Sequence, residues 1–126
     1  MKSYLLRLAF CLVALFSFAA HAHAQGEAEQ HFKRSFERLS ARDLDGAVAE
    51  LDKAVALRSD YAEAYEHRSR LRMLKGNVAG ALADLDRAVE HAPGKAIHYA
   101  ERGRLRMVRM DVDGALADFD SAIARG

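Results

Sequence analysis

The chain has 126 residues, 51% of them hydrophobic and 29% charged, which gives one domain with a modest core and no sign of disorder. Its 19 basic and 18 acidic residues leave a net charge of +1, without the positive excess by which proteins bind nucleic acid through counterion release. The single cysteine, Cys11, excludes an internal disulfide or a thiolate metal cluster.

In chain order, the first element is a basic start, Lys2 and Arg7, followed by an apolar run from Leu8 to Ala20 and the small-residue sequence Ala22-His23-Ala24. That is the shape of a secretory signal peptide over residues 1–24, with cleavage after Ala24. The run is shorter than the roughly 20 residues of a membrane-spanning helix, so an anchor is the weaker reading. Cys11 sits inside the run, where lipoprotein processing has no apolar stretch ahead of it. A chain beginning at Gln25 would carry 17 basic and 18 acidic residues and no thiol. Its expected location is outside the cytoplasm, periplasmic in a Gram-negative cell and secreted otherwise, with no membrane attachment once the signal is gone.

From about residue 28 the sequence repeats every 34 residues without insertion. Gly46, Gly80 and Gly114 keep the spacing, as do Ala47/Ala81/Ala115, Leu51/Leu85/Phe119, Asp52/Asp86/Asp120, Ala54/Ala88/Ala122, Val55/Val89/Ile123 and Arg38/Arg72/Arg106. Within a unit, Ala81, Leu85, Ala88 and Val89 form an apolar stripe of helical period. Lys75-Gly76-Asn77 supplies a helix-ending glycine and a helix-starting cap just before it; Asp43 and Asp111 keep the cap without the glycine. Ser59-Asp60 and Pro93-Gly94 separate the units. Helices are therefore expected near 27–41, 44–57, 62–75, 78–91, 96–109 and 112–124, in repeats of about 28–61, 62–95 and 96–126.

These features resemble the tetratricopeptide repeat (TPR) family over residues 28–125. The A-x3-F portion of its signature stands as Ala47/Leu51, Ala81/Leu85 and Ala115/Phe119, whereas the first portion is degenerate. His31, Tyr65 and Tyr99 take its aromatic place, and Ser35, Ser69 and Gly103 its small one. Arginines, Arg34/Arg38, Arg68/Arg72 and Arg102/Arg106, stand where the family usually has leucine and tyrosine. The resemblance implies an all-α fold of three tandem helix-turn-helix repeats in a short right-handed α-solenoid, and a concave surface that binds protein or peptide.

Helical geometry divides the arginines into two faces, since Arg68 and Arg72 lie within about 40° of each other while Arg70 points about 200° away. The first set is expected to pair with acids of the second helix: Arg34 and Arg38 with Glu50 and Asp52, Arg68 and Arg72 with Asp84 and Asp86, Arg102 and Arg106 with Asp118 and Asp120. Arg70 and Arg104 fall where the resemblance puts the groove, in register with Phe36 and beside Phe32. One reading is a groove for an extended segment with an apolar anchor and an acidic or carboxylate end. The other is a solvated face on which Glu66 neutralises Arg70 and Glu101 neutralises Arg104. Met73 and Met107 stand either on the groove floor or in the core.

Catalytic and metal chemistry has little to build on. His67, His91 and His98 lack two-ligand helical spacing. Asp43-Leu44-Asp45-Gly46 and Asp111-Val112-Asp113-Gly114 echo a calcium loop but place Ala41 and Arg109 at its first ligand. No cofactor or metal is expected, and no enzymatic activity. The expected function is an exported adaptor; the alternative is an assembly subunit packed through the open ends of its repeat stack. On the last helix Ala115, Phe119, Ala122 and Ile123 are expected to face their own hairpin, leaving Leu116 and part of Phe119 either as an association surface for a homodimer or a partner, or as the surface that residues following Gly126 in a longer chain would cap.

Overall fold

The computed structural model describes all 126 residues and contains six α-helices and no strand. They are α1 (Lys2–Ser40), α2 (Leu44–Leu57), α3 (Ala62–Leu74), α4 (Val78–His91), α5 (Ala96–Val108) and α6 (Val112–Ala124). Helices α1/α2, α3/α4 and α5/α6 pair as antiparallel hairpins, and successive hairpins meet through α2 with α3 and α4 with α5. The result is a short α-solenoid of three TPR-like repeats.

Five of the six helices run where the periodicity places them, to within a residue. The first does not: α1 begins at Lys2 rather than near residue 27. Nothing between Ala20 and Glu27 stops it. Alanines and histidines tolerate the helix, Gln25 bonds His21 at 2.9 Å, His23 lies 3.4 Å from Glu27, and Gly26 alone is a modest penalty. Residues 1–23 are exposed throughout. The apolar stretch is also longer than the Leu8–Ala20 run, since Tyr4, Leu5 and Leu6 extend it across Arg7. An 18-residue window of mean hydropathy 1.9 makes α1 long and apolar enough to cross a membrane by length and composition, a test a signal sequence also passes.

Each hairpin turn has one construction. The N–H of Asp43 donates to the carbonyl of Arg38 and that of Arg42 to Leu39, both at 2.9 Å; Gly76 and Asn77, then Met110 and Asp111, repeat the pattern. This is a Schellman ending, which sets the residue after the cap in the left-handed region. Gly76 adopts it at φ 77° without strain, whereas Arg42 and Met110 adopt it at 61° and 63° with side chains attached. Asp43, Asn77 and Asp111 then cap the next helix, accepting from the N–H of Gly46, Gly80 and Gly114 at 2.8, 2.9 and 3.0 Å. A Cβ on any of those three glycines would lie 2.0–2.4 Å from the capping side chain, which is why the glycine recurs with the cap.

Two apolar clusters hold the stack. Ala28, Ala47, Leu51, Ala54, Tyr61, Ala64 and Leu71 join the first hairpin to the second, and Ala81, Leu85 and Leu105 join the second to the third. Leu51 and Leu85 are fully enclosed, each worth about 2–3 kcal/mol against an exposed leucine. In the third hairpin Gly103 admits the Phe119 ring, since a Cβ there would lie 2.8 Å from it.

Candidate peptide-binding groove

Two arginine faces exist, but their partners differ from the expected ones. Arg68 grips Asp84 through Nη2 at 2.6 Å and Nε at 3.0 Å, and its Nη1 reaches back 2.8 Å to Asp52 of the preceding hairpin. Arg102 repeats this with Asp118, at 2.7 and 3.0 Å, and Asp86, at 2.9 Å. Arg72 and Arg106 complete the buried acids, 2.9 Å from Asp84 and Asp118. Asp52 and Asp86 thus bind the next hairpin rather than their own arginines, and Asp120 has no ion-pair partner. Burial, the largest single influence on Arg68, disfavours its charged form, but the hydrogen bonds and charges of Asp84 and Asp52 together outweigh it and raise the guanidinium above its ordinary value; the Asp118 hydrogen bond foremost raises Arg102.

The first hairpin departs from the pattern. His31, which stands where Tyr65 and Tyr99 stand, takes Glu50 at 2.6 Å, while Arg38 turns to Asp43 at 3.3 Å and Arg34 has no ion-pair partner. Glu50 is one methylene longer than Asp84 and bends to the imidazole, whose hydrogen bond is the main reason its carboxyl is lowered from the usual range. Tyr65 and Tyr99 instead donate to the carbonyls of Ser59 and Pro93, at 3.1 and 3.0 Å, tying each linker to the helix it precedes.

The face shared by α1, α3 and α5 carries the groove residues. Phe32 and Phe36 stack edge to face with ring centroids 5.1 Å apart, and His67 of α3 closes on them, 4.3 Å from Phe36 and 5.7 Å from Phe32. Phe32 also rests on Tyr61 and the core below it, while Phe36 stays 41% exposed. His67 is therefore part of the aromatic end. Nothing in its spacing marks it for this role, because its ring meets Phe36 only through the way the second hairpin packs on the first. Burial foremost, then Arg70, pushes its imidazole below the ordinary value, and its Nδ1 has no partner.

Further along, Glu66 pairs with Arg70 on its own helix and lies 3.4 Å from Nε2 of the buried His98 on α5. The His98 bond foremost lowers the Glu66 carboxyl. Arg104 pairs with Glu101 at 2.7 Å. Both neutralising pairs of the solvated-face reading thus form, yet the Arg70 and Arg104 side chains remain 48% and 63% exposed. Same-helix pairs at such exposure are worth only a few tenths of a kcal/mol, so a ligand carboxylate can compete for either guanidinium. Met73 packs against Ala81, Leu85 and Leu105 and belongs to the core, whereas Met107 is 45% exposed.

Of the two proposed association residues on α6, Leu116 is exposed and Phe119 is half-buried against Gly103. Ile123 is corrected: it is 78% exposed rather than turned into its hairpin. Its counterparts Val55 and Val89 are half-buried, and Val55 packs on the cluster that includes Tyr61, Ala64 and Leu71 of the following hairpin. No such hairpin covers Ile123. A second cleft, about 480 Å³ between α4 and the α5–α6 turn, has its charges largely matched, Arg106 with Asp111 and Asp86 with Arg102.

No family model and no curated protein sequence matches the chain. Solved structures do. The second TPR of Spaghetti (RPAP3), bound to the HSP90 peptide SRMEEVD, aligns with a TM-score of 0.79 at 17% identity, over 86% of this chain and 99% of that one. The Arabidopsis OM64 TPR domain aligns at 0.74 with 20% identity, over 81% and 84%. Two MamA crystal structures align at 0.75 and 0.73 with 21% identity over 79% of this chain, which spans just over half of theirs, 58% and 54%. At these identities the likeness is one of fold: this chain has the helical-solenoid architecture of TPR domains.

Proposed function

We propose that this chain is an exported, non-enzymatic interaction module that holds an extended protein or peptide segment along the face of α1, α3 and α5. Phe36 and His67, over Phe32, receive an apolar side chain; Arg70 and Arg104 receive an acidic side chain or terminal carboxylate. The observation that carries this reading is the coexistence on one face of a half-open aromatic wall and two half-exposed guanidiniums. Extended segments recognised by anchor pockets and charge use this division of labour. The peptide in the RPAP3 structure, with its acidic end, supports it as a neighbour of the same fold. Export rests on the residues 1–24, and cleavage after Ala24 leaves the groove in a periplasmic or secreted chain.

Crosslinking in the exported fraction tests the proposal. Wild type should capture a partner that Arg70→Glu/Arg104→Glu loses; capture unchanged by the double substitution would sink it. A second reading, an assembly subunit or homodimer packed through the end of the stack, is favoured by the exposure of Leu116 and Ile123 on α6.

A further inference from the structure

Three groove residues share one register. Phe36, Arg70 and Arg104 follow one another at the 34-residue period, each four residues before the end of α1, α3 or α5, and all three are exposed. Their helices pack side by side, since His67 of α3 reaches Phe36 of α1 and Glu66 of α3 reaches His98 of α5. Helices in such contact lie about 8–10 Å apart, axis to axis. The aromatic site and the two guanidinium sites therefore succeed one another along the groove at about that interval. One turn further along their helices, Leu74 and Val108 stand beside Arg70 and Arg104, exposed by 73% and 60%. The third hairpin follows Arg70 and Leu74 and leaves both open, so a further hairpin in that register would leave Arg104 and Val108 open as well.

We propose that the segment held along this face is a polyproline-II stretch with an apolar residue at one position and acidic residues three and six positions from it. This rests on the groove reading above and adds its spacing. A polyproline-II chain turns once in three residues and rises about 9 Å in doing so, so side chains three apart leave the same side at the interval of the helices. The apolar side chain meets Phe36 and His67, and the two carboxylates meet Arg70 and then Arg104. The residues between the acids turn toward Leu74 and Val108, where proline adds apolar contact. An aromatic wall such as Phe32, Phe36 and His67 suits segments of this conformation.

A β-strand fits the same sites poorly. At about 3.3 Å per residue, with alternate side chains on opposite faces, two residues fall short of the interval and three turn the side chain away. An α-helix repeats its face every seven residues, about 10.5 Å, and needs about fifteen residues for the contacts that a polyproline-II stretch makes in seven.

The probe is a fluorescein-labelled peptide with leucine at its first core position, glutamate at the fourth and seventh and proline between them, made in both chain directions. One comparator carries the glutamates at the third and fifth positions; the other is a helix-forming peptide with leucine at the first position and glutamate at the eighth and fifteenth. In fluorescence anisotropy against the purified chain, one direction of the probe should bind saturably and at least tenfold more tightly than either comparator. Arg104→Glu should weaken it at least tenfold. Lysine in place of the seventh-position glutamate should restore binding to that variant, whereas lysine at the fourth position should not. Absence of binding, equal binding of the three spacings, tighter binding of a comparator, or failure of the position-specific charge exchange overturns the proposal, and the comparison among peptides needs no variant of the protein. The groove reading is judged apart from this, by crosslinked capture with Arg70→Glu/Arg104→Glu. If capture is lost while the three spacings bind alike, only the polyproline-II spacing is wrong; if capture is unchanged, the groove reading falls and the spacing with it.

Discussion

The guanidinium of Arg102 sits 2.9 Å from the carboxylate of Asp86, a residue one hairpin earlier in the chain. Its other nitrogens hold Asp118, which is nearly inaccessible to solvent. Removing such an arginine strands part of a buried acid. Arg102→Ala and Arg68→Ala should each cost on the order of 1–3 kcal/mol, with Arg106 or Arg72 left as the remaining partner. Arg104→Ala, on the exposed face of α5, should leave stability almost unchanged and weaken partner capture. Denaturant melts of the three variants check this; equal shifts would show that the division into two arginine faces is wrong.

The hairpin turns predict stabilising substitutions. Arg42 and Met110 occupy the conformation that Gly76 occupies, at φ 61° and 63°, where a side chain costs roughly 1 kcal/mol. Arg42→Gly and Met110→Gly should therefore raise stability by up to about 1 kcal/mol each, less the entropy glycine adds to the unfolded chain. Gly76→Ala should lower it by a similar amount. Thermal midpoints give the three signs directly.

Acid should weaken the fold in two stages. Burial holds the His67 imidazole below its ordinary value, so its contribution is complete above about pH 6.5 and is lost as pH falls through the lowered value. Glu50 and Glu66 are held below the usual carboxylate range, chiefly by His31 and His98. Their contribution is complete above that range and disappears as pH falls through their lowered values. Stability measured from about pH 7.5 to 3.5 should fall throughout, and Glu50→Gln should flatten the acid limb. A curve that is level from neutrality into the carboxylate range would contradict the His67 assignment.

Intact mass of the chain recovered from the exported fraction should begin at Gln25, and the protein should stay in solution after membranes are washed away. Recovery with Met1–Ala24 attached, in a membrane fraction, would make α1 an anchor.

The 34-residue period made five helix boundaries, the caps and the hairpin order legible, because each depends on local spacing and turn chemistry. The ion pairs were only half legible. Arg68 has an aspartate 16 residues away in both directions, Asp52 and Asp84, as Arg102 has Asp86 and Asp118. Sequence spacing cannot say that one arginine takes both. The His67 contact with Phe36 depends on how far one hairpin turns on the next, which no spacing within a hairpin encodes. Glu50 pairs with no arginine of its hairpin because a carboxylate one methylene longer reaches a histidine that stands in a tyrosine's place.

Because Asp52 and Asp86 each bind the following hairpin, the chain's arginine–aspartate links run between repeats as well as within them. Stability in such arrays divides into intrinsic repeat terms and nearest-neighbour terms, and here the second kind is reinforced at both junctions. The middle hairpin, held by Arg68 on one side and Asp86 on the other, cannot open without breaking both links, so its amides should exchange with solvent last.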